Sequence, residues 1–439
     1  MADYPVLERE INGISGKIKN PKVRQMFLNC FYSTLKTTTE IMEDGTTYIF
    51  TGDIPAMWLR DSSAQGTGYL PFASKDEKIK ELIRGLIRRQ FKYIKIDPYA
   101  NAFNREPNGH GHKGDVTGFD SPWVWERKYE VDSLCYPLWL CSKYFTHTGD
   151  ASVFDEDFAE VARIIMDLFE VEQNHFERSE YFHHRPHVPE QPTLIDEGKG
   201  RPVAYTGMTW SGYRPSDDAC EYNYLIPSNM FAVVVLRELE KIFGQIYTDE
   251  TLRRAAATLS AQIQGGIDRF GVVEYGAYGK IYAYETDGLG NYNLMDDANV
   301  PSLLSLPCIG YLSPNDPIYK NTRRFVLSRD NPYYFEGRCA KGVGSPHTPD
   351  RHIWHIGIIM QLLTSTDLFE IKECFETLIN TDADCGVMHE SFHADDPKVF
   401  TREWFAWANT LFTVALLELY EGKAEHFKEA ARMCDLFED

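Results

Sequence analysis

The residues of this sequence that could do chemistry are carboxylates in segments with the character of long loops. The chain has 65 acidic side chains, so the presence of two carboxylates proves nothing by itself. A more useful filter is a carboxylate flanked by aromatic residues, Gly or Pro turns and arginine. The positions that pass this filter are Asp61, Asp120, Asp132, Asp217, Asp218, Asp287 and Glu390.

Aromatic residues concentrate in the same segments. A pyranose has an apolar C–H face that packs on an aromatic ring, and hydroxyls that bind carboxylates, amides and guanidinium groups. This mixture favours a sugar site, although several of the rings could equally be ordinary core. The rings are Trp58, Trp123, Trp125, Tyr129, Trp210, Tyr213, Tyr222, Tyr224, Trp354, Phe392, Trp404 and Trp407.

Two of the carboxylates could hydrolyse a glycoside. That reaction needs one carboxylic acid to protonate the leaving oxygen, and one carboxylate to attack carbon or to activate water. The loop around Asp218, with Pro215 and the neighbouring charge of Asp217, should disfavour the ionised form and suits the acid. Glu390, beside His389, could stay ionised and hold a water as the base.

Each of these interpretations has a structural alternative. Asp217 and Asp218 could be an N-cap or Asx-turn pair at a loop end, and local chemistry barely separates the two. Arg60 and Asp61 could form an internal salt bridge at a helix start. In a sugar site, the same two side chains would instead clamp vicinal hydroxyls.

The histidines raise the question of a metal. His110 and His112 are two apart, and His347, His352 and His355 cluster with Asp350. No H-E-x-x-H, paired cysteines or calcium loop accompanies them, so we predict no metal and no cofactor, and hydrogen bonding to substrate or to carboxylates instead.

Composition limits the partners and the compartment. The net charge of -20 repels polyanions, so we expect neither nucleic acid nor a membrane surface as a partner. The first residues, MADYPVLERE, lack the features of a secretory signal, and no aliphatic run is long enough to span a bilayer. Nine scattered cysteines without a C-x-x-C pair fit reduced thiols. The sequence therefore predicts a cytoplasmic protein.

Helical periodicity recurs along the whole chain. Ser74 and Glu77 have the spacing of a capping box, and the apolar stripe that follows extends from Ile79 to Ile94. Similar stripes cover 154–168 and 252–263, and strand-like alternation is confined to short pieces such as 272–284. Further helices are predicted near 21–42, 60–73, 131–147, 226–243, 296–307, 316–328, 352–364, 367–380, 402–420 and 423–437.

Six long segments rich in Gly, Pro, aromatics and paired charges separate these helices. If two helices lie between successive loops, all six loops emerge at one end of a ring of helical hairpins and converge on one pocket. This pattern predicts an all-α protein, an (α/α)6 barrel whose long loops form the active-site face, with residues 1–439 as a single catalytic domain. The segments are 44–61, 97–130, 176–225, 269–295, 330–351 and 382–401.

The loop sequences resemble glycoside hydrolase family 125. The resemblance covers nearly the full chain, with the distinctive stretches in the right order. It is carried by TGDIPAMWLRDSSAQ (51–65), WERKYEVDSLCYP (125–137), RPSDDACEYNYLIPSNMF (214–231), ETDGLGNYNLMDDANVPSLLSLP (285–307) and CGVMHESF (385–392).

The resemblance implies an (α/α)6 barrel with exo-α-1,6-mannosidase activity, acting by inversion and without a catalytic metal. It assigns Asp218, the second Asp of RPSDDAC, as acid and Glu390, the Glu of MHESF, as base. It also implies a mannose-containing oligosaccharide as substrate and a role in N-glycan degradation. The expected sugar-binding residues are Trp58, Arg60, Asp61, Asp120, Trp123, Asp132, Arg214, Asp287, His347 and His355.

Two rival functions stay open at this point. Another inverting α-glycosidase on the same toroid, such as an α-glucosidase, would differ in how its pocket recognises the hydroxyl at C2. A catalytically inactive glycan-binding protein would keep the aromatic walls and bind without turnover.

Overall fold

The chain is mainly helical. A computed structural model describes residues 4–186, 188, 193–422 and 424–438. The α-helices are α1 (Pro5–Lys17), α2 (Pro21–Ser33), α3 (Leu59–Thr67), α4 (Leu70–Ala73), α5 (Glu77–Ile96), α6 (Val131–Thr148), α7 (Glu156–Glu172), α8 (His175–Arg178), α9 (Ile226–Ile242), α10 (Glu250–Phe270), α11 (Leu306–Ile309), α12 (Pro317–Val326), α13 (His355–Thr364), α14 (Leu368–Asn380), α15 (Ala406–Glu421) and α16 (Glu425–Met433).

The strands are short and lie in the connections between helices. They are β1 (Thr39–Ile41), β2 (Thr47–Ile49), β3 (Met57–Trp58), β4 (Ala102–Phe103), β5 (Val116–Thr117), β6 (Val124–Glu126), β7 (His183–His184), β8 (Tyr224–Leu225), β9 (Val272–Tyr275), β10 (Gly279–Tyr282), β11 (Glu285–Thr286), β12 (Tyr292–Asn293), β13 (Tyr334–Glu336), β14 (Lys341–Val343), β15 (His352–Trp354), β16 (Ser391–His393) and β17 (Asp396–Thr401).

Six helices form a closed inner ring. In the order α3, α6, α9, α11, α13 and α15, each contacts the next, and α15 contacts α3 again. The helices α2, α5, α7, α10, α12 and α14 alternate with them along the chain; for example, α10 packs on α9 and α14 on α13. This double ring is the predicted (α/α)6 toroid.

Each of the six long loops leads into an inner helix. The inner helices therefore all begin at one end of the ring, and the loops gather there. Three small sheets tie neighbouring loops together: β3–β4–β6, β8–β11–β12 and β15–β16–β17. In the last of these, Trp354 is opposite Ser391, which holds the loop before α13 against the loop before α15.

The helices form for the reasons that the periodicity indicates. In α5, the side chains from Ile79 to Ile94 that repeat every three or four residues are buried, while charged residues such as Glu81, Arg88 and Lys95 face outward. The inner helix α13, HIGIIMQLLT, is buried on nearly all sides, as a helix surrounded by an outer ring should be.

The predicted helix over 296–307 is wrong. Only its last residues are helical, in α11. The preceding segment is irregular, because the buried carboxylate of Asp296 accepts the backbone N–H groups of Leu303 and Leu304 instead of leaving them to a helix.

Other helix boundaries also shift. The capping box at Ser74 does not form; Asp76 caps α5 by accepting the N–H of Lys78. The helix predicted over 21–42 ends at Ser33, because the threonine-rich continuation forms a π-helical turn and then β1. The sequence reasoning also missed α1.

One cluster of buried hydrophobic side chains extends from Leu7 to Leu436. The organisation of 1–439 as a single domain remains a prediction, tested below by unfolding. Within the described residues, no helix combines the length and apolarity needed to cross a bilayer.

Candidate active site

The N-terminal ends of the inner helices position several of the predicted site residues. Arg60 and Asp61 lie in the first turn of α3, and Asp132 lies in the first turn of α6. His355 begins α13. A carboxylate is stable at such a position because the backbone N–H groups of the first turn are unpaired and the helix dipole favours negative charge.

Arg60 is the centre of a buried group of charges. Its guanidinium contacts Glu130 and Asp132 through Nη1, Asp217 through Nη2 at 3.5 Å, and Asp61 through Nε at 3.3 Å. Burial disfavours the charge of Arg60, but these carboxylates raise its pKa well above the ordinary value. The arginine is therefore a fixed cation among four acids.

Four carboxyl groups surround the one guanidinium of Arg60. Burial, opposed by Arg60, raises the pKa of Glu130 well above its usual value and that of Asp132 to about 6. Burial also raises the pKa of Asp61, whose Oδ1 makes no hydrogen bond within the described residues. Buried polar atoms are normally paired, so this oxygen suits a hydrogen bond from a polar ligand.

Asp217 is held by this group. Its backbone is left-handed, with φ 67°, and Lys128 Nζ donates to its carbonyl oxygen. Its Oδ1 accepts from the indole N–H of Trp58 at 3.1 Å and from Asn101 at 2.9 Å. Burial opposes ionisation, but Arg60 and Lys128 outweigh it and lower the pKa of Asp217. Asp217 is therefore a poor proton donor.

Asp218 makes different contacts from its neighbour. Its Oδ1 lies 3.1 Å from Nδ1 of His347, and its backbone carbonyl accepts the N–H of Arg214. Burial disfavours the charged imidazole, but Asp218, Glu390 and Asp217 together raise the pKa of His347 to about 9. The tight turn from 214 to 218 thus sends two adjacent carboxylates to two different partners.

Glu390 lies immediately before β16 and is 5% exposed. Arg402 Nη1 lies 3.5 Å from its Oε1, and the same guanidinium forms a two-pronged ion pair with Asp53. The backbone of Arg402 is left-handed, with φ 45°, a conformation that is costly for a non-glycine residue and concentrates at functional sites.

The two predicted catalytic carboxylates affect the pKa values of neighbouring groups. The negative charges of Asp218 and Glu390 both raise the pKa of His347, and the charge of Glu390 also raises the pKa of Asp61. Asp218 and Glu390 therefore border one charged region, which also contains Arg60 and Asp61. Two carboxylates, a guanidinium clamp and aromatic rings in one region suit glycoside hydrolysis.

A sequence profile described as metal-independent alpha-mannosidase matches residues 20–417. The chain belongs to glycoside hydrolase family 125. This membership agrees with the resemblance found in the loop sequences, and makes the protein a glycoside hydrolase of an α-mannosidase family.

Two known proteins are similar to this chain over most of its length. A solved structure from Streptococcus pneumoniae, a metal-independent alpha mannosidase in a non-productive complex with alpha-1,6-mannobiose, is 45% identical, with a TM-score of 0.92. The match covers 96% of this chain and 98% of that one. The meiotically up-regulated gene 157 protein of Schizosaccharomyces pombe is 38% identical, over 97% of this chain and 87% of the relative.

The toroid itself extends beyond family 125. A bacterial glucoamylase complexed with acarbose has a TM-score of 0.57 at 12% identity, covering 97% of this chain and 58% of the glucoamylase. At this identity the likeness concerns the fold alone.

The mannosidase fold brings some predicted sugar ligands to the charged region and leaves others outside it. Trp58, Arg60 and Asp61 lie within it, and Arg214 supports it by bonding Glu285 while holding the Asp218 turn. Asp132 is fully buried against Arg60 and Ser228, so its contacts position the clamp.

His355 also supports the site from behind. It is fully buried, its Nδ1 lies 3.0 Å from the backbone N and O atoms of His389, and its Nε2 lies 3.2 Å from Thr381. Direct contact with a sugar, as predicted for His355, would require these contacts to break. We therefore assign it the positioning of the backbone next to Glu390.

For three predicted ligands, no contact among the described residues joins them to the charged region. Asp120 is exposed, and the ring of Trp123 packs over Lys92 and Tyr93 of α5. The carboxylate of Asp287 accepts the backbone N–H groups of Leu289 and Asn291, so it stabilises the turn that follows it.

Sequence reasoning missed several residues of the family 125 site. Glu130 stands in the same stretch as Asp132, and a search for every carboxylate near Arg60 in the fold would have found it. Asn101 and Arg402 come from loops that are distant in the sequence, and no local sequence pattern marks either residue. In the structure, Arg402 is distinguished by its left-handed backbone. Asp297, whose charge adjoins Asp218, was counted as part of a helix.

Within the described ranges, no group of three or more His, Cys, Asp or Glu side chains is arranged to hold a metal ion. The absence of a metal and of a cofactor stays a prediction for this chain, which the chelator experiment below tests.

Proposed function

We propose that this α-mannosidase removes non-reducing terminal α-1,6-linked mannose with inversion, using Asp218 as general acid and Glu390 as general base. The observation that carries the proposal is that the two carboxylates come from different loops and border one region. Both raise the pKa of His347, and the Arg60–Asp61 pair lies beside them. The α-1,6 linkage is supported by the Streptococcus pneumoniae relative, whose complex contains alpha-1,6-mannobiose.

In the proposed reaction, Arg60 and Asp61 bind hydroxyls of the terminal mannose. Asp218 gives a proton to the glycosidic oxygen as its bond to the anomeric carbon breaks. Glu390 takes a proton from a water that attacks the opposite face, so β-mannose is the first product. Inversion requires the two carboxyl groups to stand about 6.5–9.5 Å apart, because the water must fit between base and sugar.

Arg402 and Asp53 orient the base in this reaction. The Arg402 guanidinium lies 3.5 Å from the Glu390 carboxylate, within ion-pair distance, and the ion pair with Asp53 holds Arg402 in place. This arrangement favours the enzyme over the glycan-binding alternative, since a binding protein needs no oriented base.

The test is proton NMR of fresh α-1,6-mannobiose digests with the intact chain, Asp218→Asn and Glu390→Gln. We expect β-mannose to appear before its anomer, and both variants to lose most of the activity. Early α-mannose would reject inversion, and an unchanged rate in either variant would reject its assigned role.

Two further measurements address substrate and metal. A panel of α-1,2-, α-1,3- and α-1,6-mannobioses and an α-1,6-glucose disaccharide should show preference for the α-1,6-mannoside. Prolonged treatment with EDTA should leave that rate unchanged, and a loss that added metal restores would overturn the metal-free mechanism.

We also propose that the protein works in a reducing, cytoplasmic compartment on mannose-containing oligosaccharides derived from N-linked glycans. All nine cysteines lie in described segments, and none is paired in a disulfide. Labelling of thiols in freshly lysed cells, with cell fractionation, tests this: extensive oxidation or a secreted pool would contradict it.

A further inference from the structure

The imidazole of His347 connects the proposed acid to solvent. Nδ1 lies 3.1 Å from Asp218 Oδ1, whereas Nε2 has no hydrogen-bond partner within the described chain, and 38% of the side chain is exposed. The backbone N–H of His347 donates to Ser345 Oγ, and Ser345 in turn donates to Asp297. The ring is thus held against the carboxyl group on one side and open to water on the other.

The groups that face His347 are acidic. Asp217 and Asp218 come from the loop before α9, and Glu390 comes from the loop before α15. On its own element, the ring of Trp354 meets it edge to face. Asp297 adds a further negative charge beside Asp218. A proton shared between His347 and Asp218 is therefore stabilised on the imidazole while the site is empty.

With the shared proton on His347, Asp218 cannot serve as the general acid without help from the imidazole. A carboxyl group must carry a proton to donate it, but the raised pKa of His347 places the shared proton on the imidazole. The pair as a whole nevertheless holds one proton, and the hydrogen bond is the route along which it can move. Burying the glycosidic oxygen against Asp218 would favour movement of that proton to the carboxyl group.

We propose that His347 supplies, through Asp218, the proton that the leaving sugar receives. This inference rests on the proposed function. As the glycosidic C–O bond breaks, its electron pair stays on the leaving oxygen, which takes the proton from Asp218, and Asp218 takes the Nδ1 proton of His347. The attacking water loses a proton to Glu390. Afterwards Glu390 releases that proton to solvent, and Nδ1 of His347, which now has a free lone pair, takes one up from solvent that enters as the product leaves, so charge and protons balance.

His347→Asn tests this role, because asparagine keeps a hydrogen-bond donor beside Asp218 but cannot carry a mobile proton. The rate constant kcat/KM is measured against pH on two substrates: α-1,6-mannobiose, and 2,4-dinitrophenyl α-mannoside, whose leaving group needs no proton. His426→Asn, in α16 and far from the site in the chain, is the matched control.

For the intact chain we expect activity on mannobiose to persist on the alkaline side toward pH about 9, where the pair loses its proton. His347→Asn should shift the alkaline limb of the pH profile of kcat/KM to lower pH by about one unit or more. The aryl mannoside should be hydrolysed with little change, and added imidazole should restore part of the mannobiose rate in His347→Gly.

Superimposable pH profiles of the intact chain and His347→Asn would overturn the proposal. Equal loss on both substrates would also overturn it, since that is the pattern of a residue that only binds sugar. If the variants fail to fold, NMR titration of His347 in the intact chain and in Asp218→Asn decides: the pKa of His347 must fall when the carboxylate is removed.

Failure of this inference is distinguishable from failure of the proposed function. If the intact chain does not hydrolyse α-1,6-mannobiose, or Asp218→Asn is fully active, the proposed function fails first. If Asp218→Asn is inactive but His347→Asn behaves as the intact chain, only the proton relay is wrong.

Discussion

Arg402 Nη1 lies 3.5 Å from Glu390 Oε1, across the sheet formed by β15, β16 and β17. Glu390 precedes β16 and Arg402 follows β17, so the antiparallel pairing of these strands sets the contact. The guanidinium also lies over the ring of Phe405, 4.7 Å from its centroid. The proposed base therefore contacts a residue that the sequence did not single out.

Arg402→Ala should lower kcat on α-1,6-mannobiose by about 10²-fold, because the base loses its fixed orientation. Arg402→Lys should recover part of the loss, since a cation remains. Asp53→Asn, which removes the second partner of Arg402, should give a smaller loss. Equal activity of Arg402→Ala and the intact chain would show that Glu390 needs no such support.

Asp217→Asn and Asp218→Asn should differ in kind, although the two residues are adjacent. Asp218→Asn removes the acid, so mannobiose hydrolysis should fall by about 10²–10⁴-fold while 2,4-dinitrophenyl α-mannoside is affected less. Asp217→Asn weakens the contacts with Arg60 and Trp58, so both substrates should suffer alike, mainly in KM. Exchange of these two patterns would reverse the acid assignment.

Arg60→Met should destabilise the fold by about 3–5 kcal/mol, because it leaves buried carboxylates without their cation. Urea unfolding measures the change. The control is Arg329→Ala, which removes an exposed ion pair with Glu336 and should cost less than about 1 kcal/mol. Similar losses for the two variants would mean that the acids around Arg60 are neutral or hydrated.

The stability of the protein should fall in mild acid because of His355. Burial lowers the pKa of His355 from 6.5 to about 4, so the folded state keeps the imidazole neutral. The stabilisation is present above pH about 6.5 and is lost as the pH falls toward 4, where the unfolded chain binds the proton first. Urea midpoints between pH 7 and 4 should fall less steeply in His355→Gln than in the intact chain or the His426→Gln control.

The chain should unfold as one unit. One large hydrophobic cluster from Leu7 to Leu436 and a closed inner ring leave no obvious boundary between parts. Calorimetry and near-UV circular dichroism should therefore report coincident transitions. Two separated transitions would contradict the single-domain prediction for 1–439.

The sequence by itself determined the helical architecture and the part of the site carried by local patterns. Helical periodicity predicts the helices correctly because an apolar stripe such as that of α5 is buried in the folded protein, whichever element packs against it. Six long loops, each followed by an apolar helix, were enough to indicate the toroid. The motifs WLRDSS, RPSDDAC and MHESF likewise singled out Arg60, Asp218 and Glu390, whose roles stay predictions.

Only the tertiary structure decided which partner each charge receives. Asp217 and Asp218 look alike in sequence, but a left-handed backbone turns one toward Arg60 and the other toward His347. His355 was predicted to bind sugar and is fully buried, while Arg402 was not selected from the sequence and lies beside Glu390. The physical reason is that electrostatic contacts depend on distances between loops far apart in sequence, and no local pattern records those distances.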